Sequence, residues 1–312
     1  MDKNLALEFV RVTEEAAIAS AHWVGKGDKK AADQAAVDLM RKRFNSIDIN
    51  GRVVIGEGER DEAPMLFIGE KVGTGKGLEI DIAVDPLECT NSVAYGRPNA
   101  ISVLAAAPKG CLLGAPDTYM NKIAVGPKAK GKVNLDFSVE KNLKIVAESL
   151  DKDIEDVTVI VLDRERHEKL IDDIRDAGSR IILITDGDIA GGVAPSLDYS
   201  GIDMLMGIGA APEGVITAAA LRCLGGEIQG RLNFRNQEEK KRAKEMGIKD
   251  FDKKFMTEDL AKGDKIMFAA TGVIDGPLLK GITFTKDSAK THSIVMRQKT
   301  KTIRFIDALH KL

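Results

Sequence analysis

Short apolar runs alternate with helical stretches through the second half of this chain. The runs are rich in Val, Ile and Leu, and they cover residues 157–162, 180–185 and 202–206. The helical stretches that separate or follow them cover residues 167–177, 212–224 and 237–246. Strands that alternate with helices need crossover connections, which place the helices on the faces of a mostly parallel sheet. The pattern therefore predicts an α/β protein of layered helices and sheets.

The first half of the chain mixes helices and strands in a less regular order. Apolar residues from Leu5 to Trp23 recur at spacings of four and three, which predicts a long helix. Asp28 is placed to cap a second helix that runs to about Phe44. Further strands are predicted at residues 52–55, 78–84, 100–107, 122–125, 265–271, 293–297 and 302–306. The change of pattern divides the chain into residues 1–130 and residues 131–312.

One turn carries the strongest functional signal, Asp85-Pro86-Leu87-Glu88-Cys89-Thr90. It follows residues 78–84, where apolar and other side chains alternate with the period of a strand. Because proline cannot donate to a ladder, we expect the strand to stop at Pro86, with Asp85 at its carboxyl end. Asp85 and Glu88 repel each other unless a cation or proton lies between them, and such oxygen donors suit Mg2+ or Mn2+. The alternative is an Asx-type turn that caps a helix starting near Thr90.

Three further acidic positions are candidates for the same site. They are Asp33, the segment from Glu57 to Asp61, and Glu213. Glu57 follows a predicted strand, as Asp85 does, so their placements agree. Each position also has a plainer interpretation, with Asp33 a solvated helix residue and Glu213 a favourable charge at a helix start. Sequence alone does not show that these side chains converge.

Composition and charge exclude several classes of protein. The chain has 312 residues, of which 44% are hydrophobic and 30% charged, as is ordinary for a globular enzyme. A formal net charge of −2 argues against a nucleic-acid partner. No apolar run is long enough to span a membrane, and no signal-peptide pattern is visible. The three cysteines are too few and too widely spaced for a disulfide framework, so we expect a cytoplasmic protein.

The acidic turn resembles the Asp-Pro-hydrophobic-acid-Gly-Thr signature of lithium-sensitive, metal-dependent sugar-phosphate phosphatases. Further segments, spread over essentially the whole chain, are similar to the class II fructose-1,6-bisphosphatases. They are residues 55–66, 187–190, 211–214 and 292–297. The resemblance implies an αβαβα sandwich of the sugar-phosphatase type. In it, residues 1–130 form an α+β metal-binding region and residues 131–312 an α/β region that completes the substrate site.

The resemblance also implies roles for the acidic residues. The implied ligands are Asp33 and Glu57 for one metal, and Asp85, Glu88 and Glu213 for a second. Each active site would then hold two Mn2+ or Mg2+ ions, to which carboxylate oxygens are suited. Asp61 and Thr90 resemble the acid–hydroxyl pair that orients and deprotonates the attacking water. Lys29, one turn before Asp33, balances charge near the phosphate or is simply a solvent-facing lysine.

Contacts with a sugar bisphosphate are implied in the same way. Tyr119, Arg164 and Arg166 look like groups that hold the substrate, including the phosphate that is not cleaved. The full implied set is Glu88, Cys89, Thr90, Tyr119, Arg164, Glu165, Arg166, Asp186, Gly187, Asp188 and Ala210. Without the resemblance, residues 164–166 would be interpreted as a surface ion-pair cluster. Two positions depart from the pattern, because Cys89 and Ala210 stand where glycine is expected.

The implied activity is hydrolysis of the 1-phosphate of fructose 1,6-bisphosphate by a two-metal mechanism in gluconeogenesis, giving fructose 6-phosphate and phosphate. One alternative is an enzyme that also cleaves sedoheptulose 1,7-bisphosphate, or one that resembles an inositol phosphatase. Another is a sugar-phosphate sensor without catalysis. The expected partners are a small sugar bisphosphate and further copies of the chain, in a dimer or tetramer, with no nucleic acid and no membrane.

Overall fold

The computed structural model describes residues 5–58 and 65–312 of the chain. The chain forms two compact units: Met1–Leu113 together with Ala261–Leu312 is the first, and Gly114–Leu260 is the second. The predicted division into residues 1–130 and 131–312 concerns functional regions and stays a prediction. The compact units have other boundaries, because the last strands of the chain pair with the sheet that the N-terminal strands form.

Helices and strands occur in mixed order along the described residues. The helices are α1 (Leu5–Ala21), α2 (Lys29–Phe44), α3 (Thr90–Tyr95), α4 (Val139–Leu150), α5 (Glu168–Asp176), α6 (Asp188–Val193), α7 (Ala211–Leu224), α8 (Gln237–Glu245) and α9 (Thr257–Leu260). The strands are β1 (Ile49–Ile55), β2 (Lys71–Val72), β3 (Leu78–Glu88), β4 (Ala100–Pro108), β5 (Tyr119–Val125), β6 (Thr158–Leu162), β7 (Arg180–Ile184), β8 (Met204–Ala210), β9 (Glu227–Asn233), β10 (Phe255–Met256), β11 (Met267–Ile274), β12 (Thr283–Phe284), β13 (Ser288–Arg297) and β14 (Thr302–Lys311). None of the helices in this part of the chain is both long and apolar enough to cross a membrane.

The first unit is built on a mainly antiparallel sheet. Its strand order is β2-β1-β3-β4-β11-β13, and both β12 and β14 pair with β13. β1 and β3 run parallel, whereas the other neighbouring strands are antiparallel. α1 and α2 bury Phe9, Met40 and Phe44 in the core that covers this sheet. β3 returns as β4 without a long crossover helix, which an antiparallel pair does not need.

The second unit has a mixed sheet with the order β10-β9-β5-β8-β6-β7. β6 is parallel to β7 and to β8, as the alternation of strands and helices predicts. β5 is antiparallel to β8 and to β9, and β9 is antiparallel to β10, so the prediction of a mostly parallel sheet holds only for β6, β7 and β8. Val159 and Val161 of β6 pack with Leu143 of α4 and Ile174 of α5 in one core. The predicted α/β class, with helices layered on sheets, is confirmed in each unit.

Candidate active site

Two acidic side chains lie at the same edge of the first unit's sheet. β1 and β3 are parallel neighbours, and Ile55 pairs with Ala83. Glu57 and Asp85 each come two residues after that pair, so the register brings both to one edge. Gly56 has no room for a side chain, because a Cβ would lie 1.9 Å from the main-chain oxygen of the returning segment. The sharp exit from β1 therefore depends on glycine at this position.

β3 does not stop at Pro86, so that prediction is wrong. The strand continues to Glu88, and its register with β4 shifts between Asp85 and Glu88. Pro86 thus lies in a β-bulge, where the missing main-chain N–H costs no ladder hydrogen bond. Bulges redirect side chains and are common beside active sites, which gives this acidic segment a structural cause.

The bulge leads directly into a helix. α3 begins at Thr90, where the capping interpretation of the turn predicts a helix start. Cys89 precedes it in the left-handed region, with φ of 75°, and its carbonyl accepts a hydrogen bond from the Val93 N–H at 3.2 Å. A side chain in this conformation carries about 1–2 kcal/mol of backbone strain. Cys89, which stands where glycine is expected, therefore adopts the positive φ that favours glycine and carries the corresponding strain.

Asp33 and Glu57 form an unfavourable pair of carboxylates. Asp33 lies in the second turn of α2, and burial raises its pKa. Burial and repulsion from Asp33 raise the pKa of Glu57 to about 8. Two carboxylates in such a position are stabilised by a divalent cation, so the pair fits a metal. Lys29 is exposed at the first residue of the same helix.

The described residues do not form a complete metal site. Within residues 5–58 and 65–312, no three Asp, Glu, His or Cys side chains are grouped so that they could hold one ion. Asp61, the predicted catalytic acid, lies outside the described residues. The acids assigned to the metals in the first unit are Asp33, Glu57, Asp85 and Glu88. Carboxylate oxygens alone suit a hard divalent ion, so this donor set fits the implied metals.

A second edge that carries predicted site residues lies in the second unit, at the carboxyl ends of β6, β7 and β8. These strands are parallel, so the segments that follow them meet at one edge of the sheet. Those segments carry Arg164, Glu165 and Arg166 after β6, Asp186, Gly187 and Asp188 after β7, and Glu213 after β8. Tyr119 begins the antiparallel strand β5 and pairs with Ala210 at the end of β8. It therefore lies at the same edge.

Arg164 and Arg166 are held in different ways. Nη2 of Arg164 donates a hydrogen bond to Oδ1 of Asp186 at 3.1 Å. Nε and Nη2 of Arg166 both donate to the Ile208 carbonyl, at 3.1 and 2.8 Å, and the Cζ lies 4.7 Å from the centroid of the Tyr119 ring. No carboxylate in the described part of the chain forms an ion pair with Arg166. Its charge is therefore available to an anion.

Lys122 is a buried part of this edge that the motifs did not indicate. Its Nζ donates to Oδ2 of Asp188 and, at 2.9 Å, to the Ala210 carbonyl. The side chains of Lys122 and Asp188 are only 3% and 7% exposed. Gly209 makes room for the pair, because a Cβ there would lie 1.7 Å from Oδ2 of Asp188. The sequence signal was a single lysine within an apolar strand, which marks a buried charge with a partner.

Glu213 lies in the first turn of α7, next to this pair. Burial and repulsion from Asp188 raise the pKa of Glu213 to about 7, and Lys122 opposes the shift. Oε2 of Glu213 is shielded from solvent and has no hydrogen-bond partner among the described residues. Such an oxygen costs about 1–3 kcal/mol, which fits a group that binds a cation. Its assignment to a metal stays a prediction.

His167 links the arginine segment to β8. The Ile208 N–H donates to Nε2 at 2.7 Å, so Nδ1 carries the proton that it donates to the Leu162 carbonyl at 2.7 Å. The ring is buried, and burial is the main reason that its pKa is lowered from the ordinary value of 6.5. The neutral ring thus fixes the position of Arg166, and a structural role for this histidine accounts for all its contacts.

The stability of the protein is expected to depend on the charge of His167. Because its pKa is lower in the folded state, the unfolded chain binds a proton first, and stability falls as the pH decreases below about 6.5. His167→Gln should remove this part of the pH dependence. Denaturant unfolding between about pH 8 and pH 5 measures it. His22→Gln, at an exposed position, is the control, and an unchanged slope in His167→Gln would contradict the assignment.

Comparison with known proteins identifies the family. Residues 3–310 match the sequence model of the family described as bacterial fructose-1,6-bisphosphatase, glpX-encoded. The chain belongs to this family. It is 51% identical to the D-fructose 1,6-bisphosphatase class 2/sedoheptulose 1,7-bisphosphatase of Synechococcus sp. strain JA-2-3B'a(2-13), over 99% of this chain and 96% of the relative. It is 50% identical to the protein of the same name from Thermosynechococcus vestitus, with the same two coverages.

Among solved structures, an inositol monophosphatase from Anabaena matches 64% of this chain and 71% of its own, at 13% identity. Its TM-score is 0.31, which is too low to bear on the fold. Membership of the glpX-encoded fructose-1,6-bisphosphatase family makes this chain a phosphatase. The family also implies dependence on a divalent metal, which the acidic residues of the first unit fit.

Cys89 and Ala210, the two residues of this bisphosphatase that stand where glycine was expected, have different backbone conformations. Ala210 has φ of −77° and ψ of 150°, an extended conformation that any residue adopts without strain. Its side chain therefore needs no compensation, and the carbonyl that Lys122 binds is unaffected. Cys89, by contrast, occupies a left-handed conformation that favours glycine. Of the two departures, the one at Cys89 is the one that carries an energetic cost.

Proposed function

We propose that this bisphosphatase hydrolyses the 1-phosphate of fructose 1,6-bisphosphate, giving fructose 6-phosphate and phosphate. The observation that carries the proposal is the edge of the second unit, where Arg164, Arg166 and Tyr119 lie with Asp186 and Asp188. Guanidinium groups bind phosphate oxygens, and carboxylates accept hydrogen bonds from sugar hydroxyls. Such an edge matches a phosphorylated sugar, and the names of the relatives support the same substrate.

The catalytic metals are proposed to be two ions of Mn2+ or Mg2+. Asp33 and Glu57 would hold one, and Asp85, Glu88 and Glu213 the other. The support is the repulsion between Asp33 and Glu57, the shielded Oε2 of Glu213 and the uniform oxygen donors. When bound, such ions neutralise phosphoryl oxygens and lower the pKa of water.

The attacking water is proposed to be oriented by Thr90 and deprotonated with the help of Asp61. A threonine hydroxyl accepts a hydrogen bond from water while it donates its own proton to a carboxylate. This arrangement points a lone pair of the water oxygen at phosphorus and gives its proton a route to an acid. Lys29 would balance the charge of the phosphate. Glu88, Cys89 and Thr90, on the strained turn, are the proposed contacts to the cleaved group.

Thr90→Ala is expected to lower kcat by about 10²- to 10⁴-fold, with KM within about threefold of the unaltered enzyme. The reason is that the hydroxyl acts on the water and contributes little to substrate binding. Steady-state phosphate release measures both constants. Thr90→Ser keeps the hydroxyl and should retain most of the activity. A rise in KM at unchanged kcat would show that Thr90 only binds the substrate.

Phosphate release from a substrate panel tests the proposed function. The panel contains fructose 1,6-bisphosphate, sedoheptulose 1,7-bisphosphate and inositol 1-phosphate, each with Mn2+ or Mg2+. Fructose 6-phosphate as the product supports the proposal, and the absence of any phosphate release would overturn it in favour of a sensor. Cleavage of the seven-carbon substrate as well is the second candidate, which the names of the relatives favour.

The proposed setting is the cytoplasm, in gluconeogenesis, with the enzyme assembled as a homo-oligomer of two or four copies. The support for a reducing compartment is that Cys89, Cys111 and Cys223 form no disulfide in the part of the chain that the structure describes. Light scattering from the purified protein measures the assembly. A monomer at micromolar concentration would contradict it.

A further inference from the structure

Arg235 lies against the ring of Tyr119, although no motif indicated it. It follows β9, whose last residue, Asn233, pairs with Tyr119. The Cζ of Arg235 lies 4.9 Å from the centroid of the Tyr119 ring, and the Cζ of Arg166 lies 4.7 Å from the same centroid. Two guanidinium groups from distant segments therefore contact one aromatic ring.

The guanidinium of Arg235 is held in a defined orientation. Its Nε donates to the carboxylate of Glu239, and its Nη2 donates to the Asp117 carbonyl at 3.0 Å. Glu239 is buried and also accepts hydrogen bonds from the Thr118 hydroxyl at 2.6 Å and from the main-chain N–H of Arg235 at 2.8 Å. The side chain of Arg235 is nevertheless 43% exposed. It is therefore fixed in position and still accessible to a ligand.

Both arginines retain hydrogen-bond donors. Within residues 5–58 and 65–312, Nη1 of Arg235 and Nη1 of Arg166 donate to no other group, and the Tyr119 hydroxyl has no partner. Arg235 forms ion pairs with Glu239 and, at 3.7 Å, with Oδ2 of Asp117, whereas no carboxylate there pairs with Arg166. The positive charge of the group that is left uncompensated is therefore that of Arg166. A phosphate has enough terminal oxygens to accept hydrogen bonds from two guanidinium groups at once.

We propose that Arg235 is a substrate-binding residue that holds, together with Arg166, the phosphate group that the enzyme does not cleave. The inference rests on the proposed function, because it needs a sugar that carries two phosphates. The Tyr119 ring lies against both guanidinium groups, which limits their motion. Arg235 then makes the enzyme selective for bisphosphates over monophosphates. It deepens the proposed site by adding a residue from the segment between β9 and α8.

Arg231 is a matched control in the same unit. It lies on β9, its Nη1 pairs with Asp136 at 2.7 Å, and its side chain is 34% exposed. It is thus an ion-paired arginine of similar exposure that lies against no aromatic ring in the described residues. Arg231→Gln removes an ion pair and one positive charge without touching Tyr119. A change in KM or kcat that is common to Arg231→Gln and Arg235→Gln reflects the loss of a positive charge or of stability, and not a contact with the substrate.

The experiment compares fructose 1,6-bisphosphate with p-nitrophenyl phosphate, a monoester that lacks a second phosphate. Arg235→Gln is expected to raise KM for the bisphosphate by about 10- to 100-fold, the loss typical of a hydrogen bond to a charged group. The ratio of kcat/KM for the bisphosphate to that for the monoester should fall about tenfold or more. Arg231→Gln should leave both substrates unaffected. Arg235→Lys, which keeps the charge and an amine for Glu239, should raise KM severalfold.

The outcomes are distinguishable. An unchanged KM for the bisphosphate in Arg235→Gln would overturn the inference, and so would an equal loss with both substrates. If Arg235→Gln does not fold, Arg235→Lys decides, because KM equal to that of the unaltered enzyme contradicts a forked contact with phosphate. Absence of turnover by the unaltered enzyme would overturn the proposed function and not the role of Arg235 alone.

Discussion

Glu57→Gln is expected to be inactive yet more stable than the unaltered protein in the absence of metal. Burial of Glu57, and then repulsion from Asp33, raises the pKa of Glu57. With a pKa of about 8, this carboxyl binds a proton at neutral pH in the folded, metal-free protein but not in the unfolded chain, and that difference destabilises the fold. Glutamine keeps the shape of the side chain but removes this difference and one metal ligand. Turnover should fall at least about 10²-fold. The free energy of unfolding without metal should rise by about 1 kcal/mol, since activity is gained here at the cost of stability.

Two measurements on Glu57→Gln separate these effects. Phosphate release at saturating Mn2+ gives the loss of turnover, and denaturant unfolding in a chelator gives the stability of the metal-free protein. Added Mn2+ should raise the melting temperature of the unaltered protein more than that of the variant. Glu79→Gln is the control, because Glu79 lies on β3 but is 58% exposed and paired with Lys109. Normal activity in Glu57→Gln, or a less stable metal-free protein, would contradict the metal assignment.

Lys122→Met is expected to reduce the free energy of unfolding by about 3–5 kcal/mol. The reason is that Lys122 and Asp188 are both almost fully buried, so the loss of the ammonium leaves a carboxylate in a nonpolar setting without its partner. The nearby carboxylate of Glu213 adds repulsion. The Ala210 carbonyl also loses its hydrogen bond from Nζ.

A second substitution tests the cause of that loss. The double variant Lys122→Met with Asp188→Asn carries no uncompensated charge at this pair, and it should regain most of the lost stability. Lys169→Met, which breaks the exposed ion pair with Asp173, should change stability by less than about 1 kcal/mol. If the double variant is no more stable than Lys122→Met, then lost packing, and not the buried charge, explains the effect.

Features that depend only on residues close together in the sequence could be predicted from the sequence. Asp28 accepts a hydrogen bond from the Ala31 N–H at 3.0 Å and caps α2, which ends at Phe44 as expected. The late hairpin is present as β13 and β14, although each strand is longer than predicted. Helix caps and alternating patterns involve residues close in sequence, so they do not depend on how the rest of the chain folds. Strand pairing is not local, and for that reason the mostly parallel sheet predicted for the second half of the chain is antiparallel where β5 pairs with β8 and β9.

The candidate site also contains features that are local in sequence and features that depend on long-range contacts. The spacing of the acids at residues 85–88 predicts a metal contact, because that chemistry is carried by residue type and close spacing. The phosphate contacts of Arg164 and Arg166 follow only from the family resemblance, and both assignments stay predictions. No motif pointed to Lys122, His167 or Arg235. Lys122 on β5 meets Asp188, the first residue of α6, across 66 residues of sequence. Contacts of this kind follow from how distant strands pair and what they bury together, so they were found in the folded chain and had no signature in the linear one.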